Sequence, residues 1–415
     1  MGETSALSVK CRLYPTKAQT HQLNETLEVC RQVYNSFLHW RSFSYDTEQK
    51  SVGRYEQEAA LTHWKKTHPE LAEVHAHLLQ NVAHRVDLAF RAFFRRVKKN
   101  DGKAAETPAV GRLHPVRNGY PRRKGVGQYD SFCFKQWKNG VQFKNGNLWL
   151  SKIGEIKCNV HRPLVGEAKT CCLRRVNGKW FACITCETEA EVLPPSEEVI
   201  GIDVGIKTFA ALYAVNVITG VSDGTFVENP KFFRTEEAAL AKAQRKLAKH
   251  KRGTKNQSEV KEREKAKKVV ARVHERVGNR RHNFTHQTAR KLVNQYAMIA
   301  VEKLSVKNMS KAPAPKQDSE TGEYLPNGAS QKAGLNKSIL DAAWSQFRNI
   351  LTNKAESAGR EIVAVRPAYT SQRCSGCGYM APKTLKERWH LCPMCGRSLD
   401  RDTNAAVNIL AAARN

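Results

Sequence analysis

The 415-residue sequence predicts a multidomain α+β protein. Three observations carry that prediction. The hydrophobic period is helical near the N-terminus, two in the middle, and then alternates between strand and helix segments. Stretches rich in Gly, Pro and charge, at 100–128 and at Pro194-Pro195, punctuate these changes. Four of the twelve cysteines gather into two doublets near the C-terminus.

Each element can be justified in order. LSVKCRLYP alternates as a short strand and stops at Pro15. Thr16 and Gln19 form a capping box for a helix carrying Leu23, Leu27, Cys30, Tyr34, Phe37 and Leu38 on one face. A second helical zone, 72–99, has the stripe Leu79, Val82, Val86, Phe90, Phe93 and Val97. Its Arg85, Arg91, Arg95, Arg96, Lys98 and Lys99 form either a solvated face or a phosphate-contact surface. Residues 100–128 read as a loop or hinge. From Ser131 to Glu187 the text is short strands, including a hairpin around Asn177-Gly178.

After Pro195, EEVIGIDVGIKTFAALYAV reads as a buried strand, a turn and a second strand. Residues 236–295 read as two antiparallel helices joined near Gly253 to Ser258, with 18 Lys+Arg against 6 Asp+Glu. YAMIAVEKL is another buried strand, and 310–334 reads as a mobile loop. One helix then carries Leu340, Ala343, Phe347, Leu351 and Ala358, stops at Gly359, and leads into the strand EIVAV.

Composition limits the function. The formal charge of +30 points to a polyanionic partner such as nucleic acid. No stretch approaches the roughly 18 apolar residues of a membrane helix, and the N-terminus lacks a signal-peptide apolar core. The expected location is the cytoplasm, with no membrane partner. In that setting Cys11, Cys30, Cys133 and Cys158 are expected as single reduced thiols. Cys183 and Cys186 would point to opposite faces of a strand, where they cannot converge on one ion.

Cys374-x-x-Cys377 and Cys392-x-x-Cys395 are separated by 14 residues, and Gly378 and Gly396 follow the doublets as knuckle turns. Four thiolates make a closed tetrahedral site for one structural Zn²⁺, with no open position for catalysis. Three carboxylates stand in apolar settings: Asp203 within VIGIDVGIK, Glu302 at the end of AMIAVEKL, and Asp402 opening the Ala-rich DRDTNAAVNIL. A buried acid is costly unless paired or bound to a cation. Three from separate segments of a basic chain suggest a site for two Mg²⁺ ions cleaving phosphodiesters.

GIDVGIK, VEKLSVKNM and DRDTNAAVNIL, with a four-cysteine ribbon before the last, resemble the RuvC nuclease segments of transposon-associated TnpB proteins. RLYPTKAQ, AFRAFFRRVKK, LNKSILDAAWSQF and TSQRCSGCG extend the likeness over nearly the whole chain. The resemblance implies an RNase H-like RuvC nuclease domain with an inserted zinc ribbon, a β-barrel wedge domain and a helical recognition lobe. It implies a wedge strand at 1–11, the helical lobe at 12–105, the wedge barrel at 106–197, and RuvC at 198–370 with its helical hairpin. The zinc ribbon would span 371–397 and bind target nucleic acid, and 398–415 would complete RuvC. By the same resemblance Asp203, Glu302 and Asp402 are the catalytic Mg²⁺ ligands, with Asp400 a cap or support. Lys303 departs from the family, where an acid commonly follows the glutamate.

The implied activity is RNA-guided DNA endonuclease, with a guide RNA and double- and single-stranded target DNA as partners. Base pairing would select the sequence and the protein would read a short flanking motif. The competing expectations are a compact type V CRISPR effector with a CRISPR RNA, a non-catalytic zinc-ribbon nucleic-acid-binding protein, and a strand-joining transposase.

Overall fold

Apolar alternation with period two needs a covered sheet face, and the N-terminal half supplies one. A computed structural model describes residues 4–106, 119–189, 192–250, 253, 256–384 and 387–414. The chain divides into two units, Met1–Glu189 and Ala190–Asn415.

In the first unit, β1 (Thr4–Tyr14) runs into α1 (Lys17–Glu48) through the expected capping box. The Gln19 amide donates to Thr16 Oγ1 at 3.2 Å, and the Thr16 amide donates to Gln19 Oε1 at 3.0 Å. All six residues of the α1 stripe are buried. Next come α2 (Arg54–Thr67) and α3 (Ala76–Glu106). The second helical zone is corrected at both ends: α3 begins later and continues to Glu106, into the segment expected as loop. The remainder of that loop, 107–118, lies outside the described residues.

Six further strands follow: β2 (Ser131–Phe134), β3 (Val141–Lys144), β4 (Asn147–Leu150), β5 (Gly154–Asn159), β6 (Glu167–Val176) and β7 (Lys179–Glu189). The sheet order is β2-β6-β7-β1-β5-β4-β3, so the first strand of the chain sits at the centre of a near-barrel sheet. Asn177 and Gly178, at φ 50° and 75°, form the β6–β7 turn, as a type I′ hairpin requires. One continuous core joins sheet residues Phe132, Phe134, Leu148 and Trp180 to Phe37 of α1 and Leu79 of α3.

The antiparallel register also overturns an expectation. Cys133 stands opposite Cys172 and the two are disulfide-bonded, so Cys133 is not a lone reduced thiol. Cys158 is only partly buried, whereas Cys11 and Cys30 are buried and free as expected.

The second unit opens with β8 (Glu198–Val204), β9 (Thr208–Asn216) and β10 (Ser222–Glu228). The basic pair α4 (Phe232–Ala248) and α5 (Gln257–Gln295) follows, tied by Glu236 to Arg276 and Arg280 at 3.1 and 3.2 Å. Then come β11 (Met298–Glu302), the single turn α6 (Val306–Met309), and the small hairpin β12 (Lys316–Gln317) with β13 (Tyr324–Leu325). Next are α7 (Ala329–Ala342), α8 (Trp344–Ser357), β14 (Glu361–Val365), β15 (Trp389–Leu391), β16 (Ser398–Asp400) and α9 (Arg401–Arg414).

Two expectations fail here. The loop expected at 310–334 contains that hairpin and the start of α7. The single helix expected after it is two, because Ala343 is left-handed at φ 56° and ends one helix while starting the next. As a result Ile339 is buried and Leu340 is exposed.

The five-stranded sheet has the order β10-β9-β8-β11-β14, with β8, β11 and β14 mutually parallel and β9 antiparallel to both its neighbours, β8 and β10. Ile200, Ile202, Ile299 and Val301 face a core with Leu292 of α5 and Phe347 of α8. Val199 and Ala300 face Ile409 and Leu410 of α9 on the other side. Among the described residues, no helix is long and apolar enough to cross a membrane.

Candidate metal centres

Strand periodicity decides which way each acid faces. Asp203 shares the parity of Val199 and Gly201, and Glu302 shares that of Ala300, so both belong to the α9 face. Ile202 pairs with Val301 across the parallel β8–β11 ladder, which brings Asp203 and Glu302 side by side at the strand ends. Asp402 lies in the first turn of the helix covering that face. Three segments far apart in sequence therefore deliver three acids to one end of the sheet.

Their electrostatics register the convergence. Burial raises the Asp203 carboxyl well above the usual aspartate range. The negative charges of Glu302, Asp402 and Asp400 push it further, and the Arg401 guanidinium partly opposes them. Burial also raises Glu302, while a hydrogen bond from Thr370 Oγ1 to Oε1 at 2.7 Å favours its ionised form. Asp402 Oδ1 accepts from Arg401 Nε and Nη2 at 3.1 and 3.0 Å, and Arg388 Nη1 lies 3.7 Å from Oδ2.

Asp400 has a different job. Its Oδ1 accepts the Asp402 amide at 2.8 Å and the Thr403 amide at 3.3 Å, capping the start of α9. This is one of the two roles expected for it.

The cysteine centre is more compact. Among the described residues, Cys374, Cys377, Cys392 and Cys395 are the set of three or more candidate ligands whose donor atoms all lie within 4.8 Å of one another. The three carboxylates meet on one face without reaching that closeness. Sulfur pairs Cys374–Cys395 and Cys377–Cys392 are 3.6 and 3.5 Å apart. A tetrahedron with Zn–S bonds near 2.3 Å has edges of about 3.8 Å, so the four sulfurs fit that ion.

Gly378 and Gly396 take φ 78° and 70° in the knuckle turns, and the Gly376 amide donates to Cys374 Sγ at 3.4 Å. Burial disfavours the Cys374 thiolate, yet hydrogen bonds from the Cys377 amide, His390 and the Gly376 amide hold it at about 7. At Cys392 burial is again outweighed, by the Cys395 and Met394 amides, which bring it to about 6. The Arg397 amide favours a Cys395 thiolate, but the surrounding sulfurs of Cys377, Cys392 and Cys374 push it to about 12. Several thiolates this close need a cation between them. Cys183 is partly exposed and Cys186 buried, on alternate faces of β7.

Sequence reasoning missed the residues that tie the two centres together. Asn404 of α9 is fully buried. Its Oδ1 accepts the Ser375 amide at 3.0 Å and its Nδ2 donates to the Arg373 carbonyl at 2.8 Å. Asn408, four residues on, donates Nδ2 to the carbonyls of Thr370 and Arg373 at 2.8 and 2.7 Å. Two asparagines at i and i+4 in the Ala-rich stretch of α9 were the available signal.

Comparison with known proteins agrees with these features. Residues 182–312 match the OrfB_IS605 family, described as "Probable transposase". Residues 344–409 match "Cas12f1-like, TNB domain". Residues 5–50 match a family described as "Helix-turn-helix domain", although this segment is one strand and one long helix here. A Streptomyces pristinaespiralis protein named "Putative RNA-guided DNA endonuclease" is 33% identical over 97% of this chain and 88% of its own length. The Escherichia coli K12 protein "Putative RNA-guided DNA endonuclease InsQ" is 30% identical over 97% of this chain and 91% of its own. Among solved structures, a Cas12f1–sgRNA–target DNA complex shares the fold with a TM-score of 0.52, at 13% identity and 98% coverage of each chain.

Proposed function

The chain belongs to the TnpB-like family of RNA-guided DNA endonucleases, and on that premise we propose that it cuts target DNA at Asp203, Glu302 and Asp402. The observation that carries this reading is the convergence of Asp203 and Glu302, at adjacent strand ends, with Asp402 in the first turn of the helix that covers them; the raised Asp203 carboxyl agrees with it. Uncompensated, that cluster only costs stability, whereas divalent cations would turn it into a phosphodiester-cleaving site.

Two Mg²⁺ ions, when bound, supply an activated water and charge stabilisation at the leaving oxygen. Asp203, on the central strand, would help to hold them. Glu302 would complete the coordination from the adjacent strand and Asp402 from α9. Arg401 and Arg388 would have to release Asp402 as cations bind. The sheet order β10-β9-β8-β11-β14, with an antiparallel second strand, supports an RNase H-like RuvC domain over 198–370 and 398–415.

In this reading 371–397 is the zinc ribbon, with one structural Zn²⁺, and it meets the target nucleic acid. Residues 12–105 are the recognition lobe. The sheet of 1–11 and 106–197 is the wedge, whose β1 lies between β7 and β5. Basic faces of the first unit would hold the guide RNA through phosphates, with affinity that falls as salt rises. The cytoplasm is the proposed place of action, since that is where a prokaryotic DNA target lies.

The match of 344–409 to a Cas12f1-like domain keeps a CRISPR RNA guide as a second reading. Sequencing the RNA that co-purifies would separate a transposon-end RNA from a CRISPR transcript. The test of function is cleavage by RNA-loaded protein of a matched plasmid with a randomised flank, in Mg²⁺ and in EDTA. Asp203→Ala should still bind the target and should not cut. Undiminished cutting by that variant would sink the assignment.

A further inference from the structure

Thr370 lies outside the three acid-bearing segments, on the turn between β14 and the first cysteine knuckle. Its Oγ1 donates to Glu302 Oε1 at 2.7 Å, while the Pro367 carbonyl, at 3.4 Å, is the weaker acceptor. The turn presenting this hydroxyl is held from both sides. Tyr369, just before it, adopts φ 66°, unfavourable for a residue with a side chain. Its carbonyl accepts the amides of Gln372 and Arg373 at 3.0 and 2.9 Å. From α9, Asn408 grips the Thr370 and Arg373 carbonyls, while Asn404 grips the Arg373 carbonyl and the Ser375 amide beside Cys374.

We infer that Thr370 is a positioning residue for Glu302, and that the cysteine ribbon bears on the acid site through it. The inference rests on the reading of the acids as cation ligands. A glutamate at a strand end has three rotatable side-chain bonds. One donated hydrogen bond at Oε1 selects its orientation, leaving Oε2 to meet a cation. The same turn is anchored to the helix that carries Asp402. Glu302, α9 and the knuckle therefore hold their spacing together, and disorder at the zinc site would reach both acids.

Thr370→Val keeps the shape and removes the donor, whereas Thr370→Ser keeps the donor. Two measurements on the full chain read the difference: the rise in melting temperature of RNA-free protein on adding Mn²⁺, and the Mg²⁺ concentration giving half-maximal cutting by RNA-loaded protein. A hydrogen bond to a charged group supports an effect of roughly tenfold or more. Thr370→Val should therefore need about ten times more Mg²⁺ and lose most of the Mn²⁺-induced rise. Thr370→Ser should stay near wild type. Zinc content and target binding should be unchanged in both. Should Thr370→Val purify without zinc, Thr370→Ala is read in the same two assays. Wild-type behaviour of the donor-free variant in both assays, or equal damage in Thr370→Ser, overturns the inference. Wild-type protein that neither cuts nor responds to Mn²⁺ overturns the acid-site reading instead.

Discussion

Gly201 of β8 lies directly beneath the Ala406 carbonyl of α9: a Cβ added at Gly201 would collide with that oxygen and sit 2.9 Å from Leu410 Cβ. The contact sets how close the helix bearing Asp402 comes to the strand bearing Asp203. Both contact atoms lie on the helix itself, one of them backbone, so a side chain at 201 can only push α9 away.

Gly201→Ala should therefore cost about 1–3 kcal/mol, the usual range for forcing extra atoms into a packed core. It should also reduce Mg²⁺-dependent cutting out of proportion to that loss, since Asp402 moves with the helix. Thermal melts and plasmid cleavage, run on the same preparation, check this. A variant matching wild type in both would show that the sheet–helix spacing is looser than the contact implies.

Zinc removal has a related consequence. Cys374→Ser leaves three sulfurs for an ion whose binding free energy is also folding free energy. Metal analysis should find about one zinc per wild-type chain and well under half of that in the variant. Because Asn404 and Asn408 of α9 are bonded to the knuckle backbone, cutting should fall together with zinc content. Zinc-free wild-type protein, or a zinc-depleted variant that cuts normally, would contradict this coupling.

The parts of this molecule that could be read from sequence are those set by local chemistry. The Thr16–Gln19 box, the α1 stripe, the Asn177-Gly178 turn and the two cysteine doublets each lie within a few residues. They need no knowledge of distant partners. Helix α2 was missed because it buries little beyond Gln57 and Leu61, too few for an apolar period. Strand β10 was missed because it is an exposed edge strand. The break at Ala343 carries no Gly or Pro signal. The Cys133–Cys172 bond depends on the register between strands 39 residues apart. At the acid site, burial and motif marked Asp203, Glu302 and Asp402. Thr370 acts through a tertiary hydrogen bond that no spacing announces, and only their i, i+4 spacing marks the two asparagines.

The pH dependence of metal-free protein follows from Asp203. Its folded-state pKa is raised, by burial first and then by Glu302 and Asp402. Between its unfolded value, about 4, and that raised value the folded state binds more protons than the unfolded state. Stability therefore falls as pH rises through this window, by up to ~1.4 kcal/mol per pH unit for the one group. Glu302, raised by burial, adds a contribution of the same sign. Asp203→Asn removes the larger contribution. In EDTA it should melt above wild type at pH 8, with the gain shrinking toward pH 4. In saturating Mg²⁺ the order should narrow or reverse. A gain that does not vary with pH would show that the Asp203 charge is not its source.

Asp400 and Asp402 stand two residues apart, and their contacts separate stability from catalysis. Asp400 caps α9 by accepting the amides of Asp402 and Thr403. Asp400→Ala leaves those donors open and should cost about 1 kcal/mol, the usual loss for a removed helix cap. It should keep most of its cutting activity, because Asp402 remains. Asp402→Ala loses its pairing with Arg401 and Arg388 but also removes a like charge that raises Asp203. These effects oppose one another, so its metal-free melting temperature should stay near wild type. Its cutting should nevertheless be lost, because the third cation ligand is gone. The two variants should therefore cross, one less stable and active, the other stable and inactive. Parallel melts in EDTA and cleavage in Mg²⁺ read both axes. The opposite crossing, with Asp402→Ala cutting and Asp400→Ala silent, would transfer the metal-ligand role to Asp400.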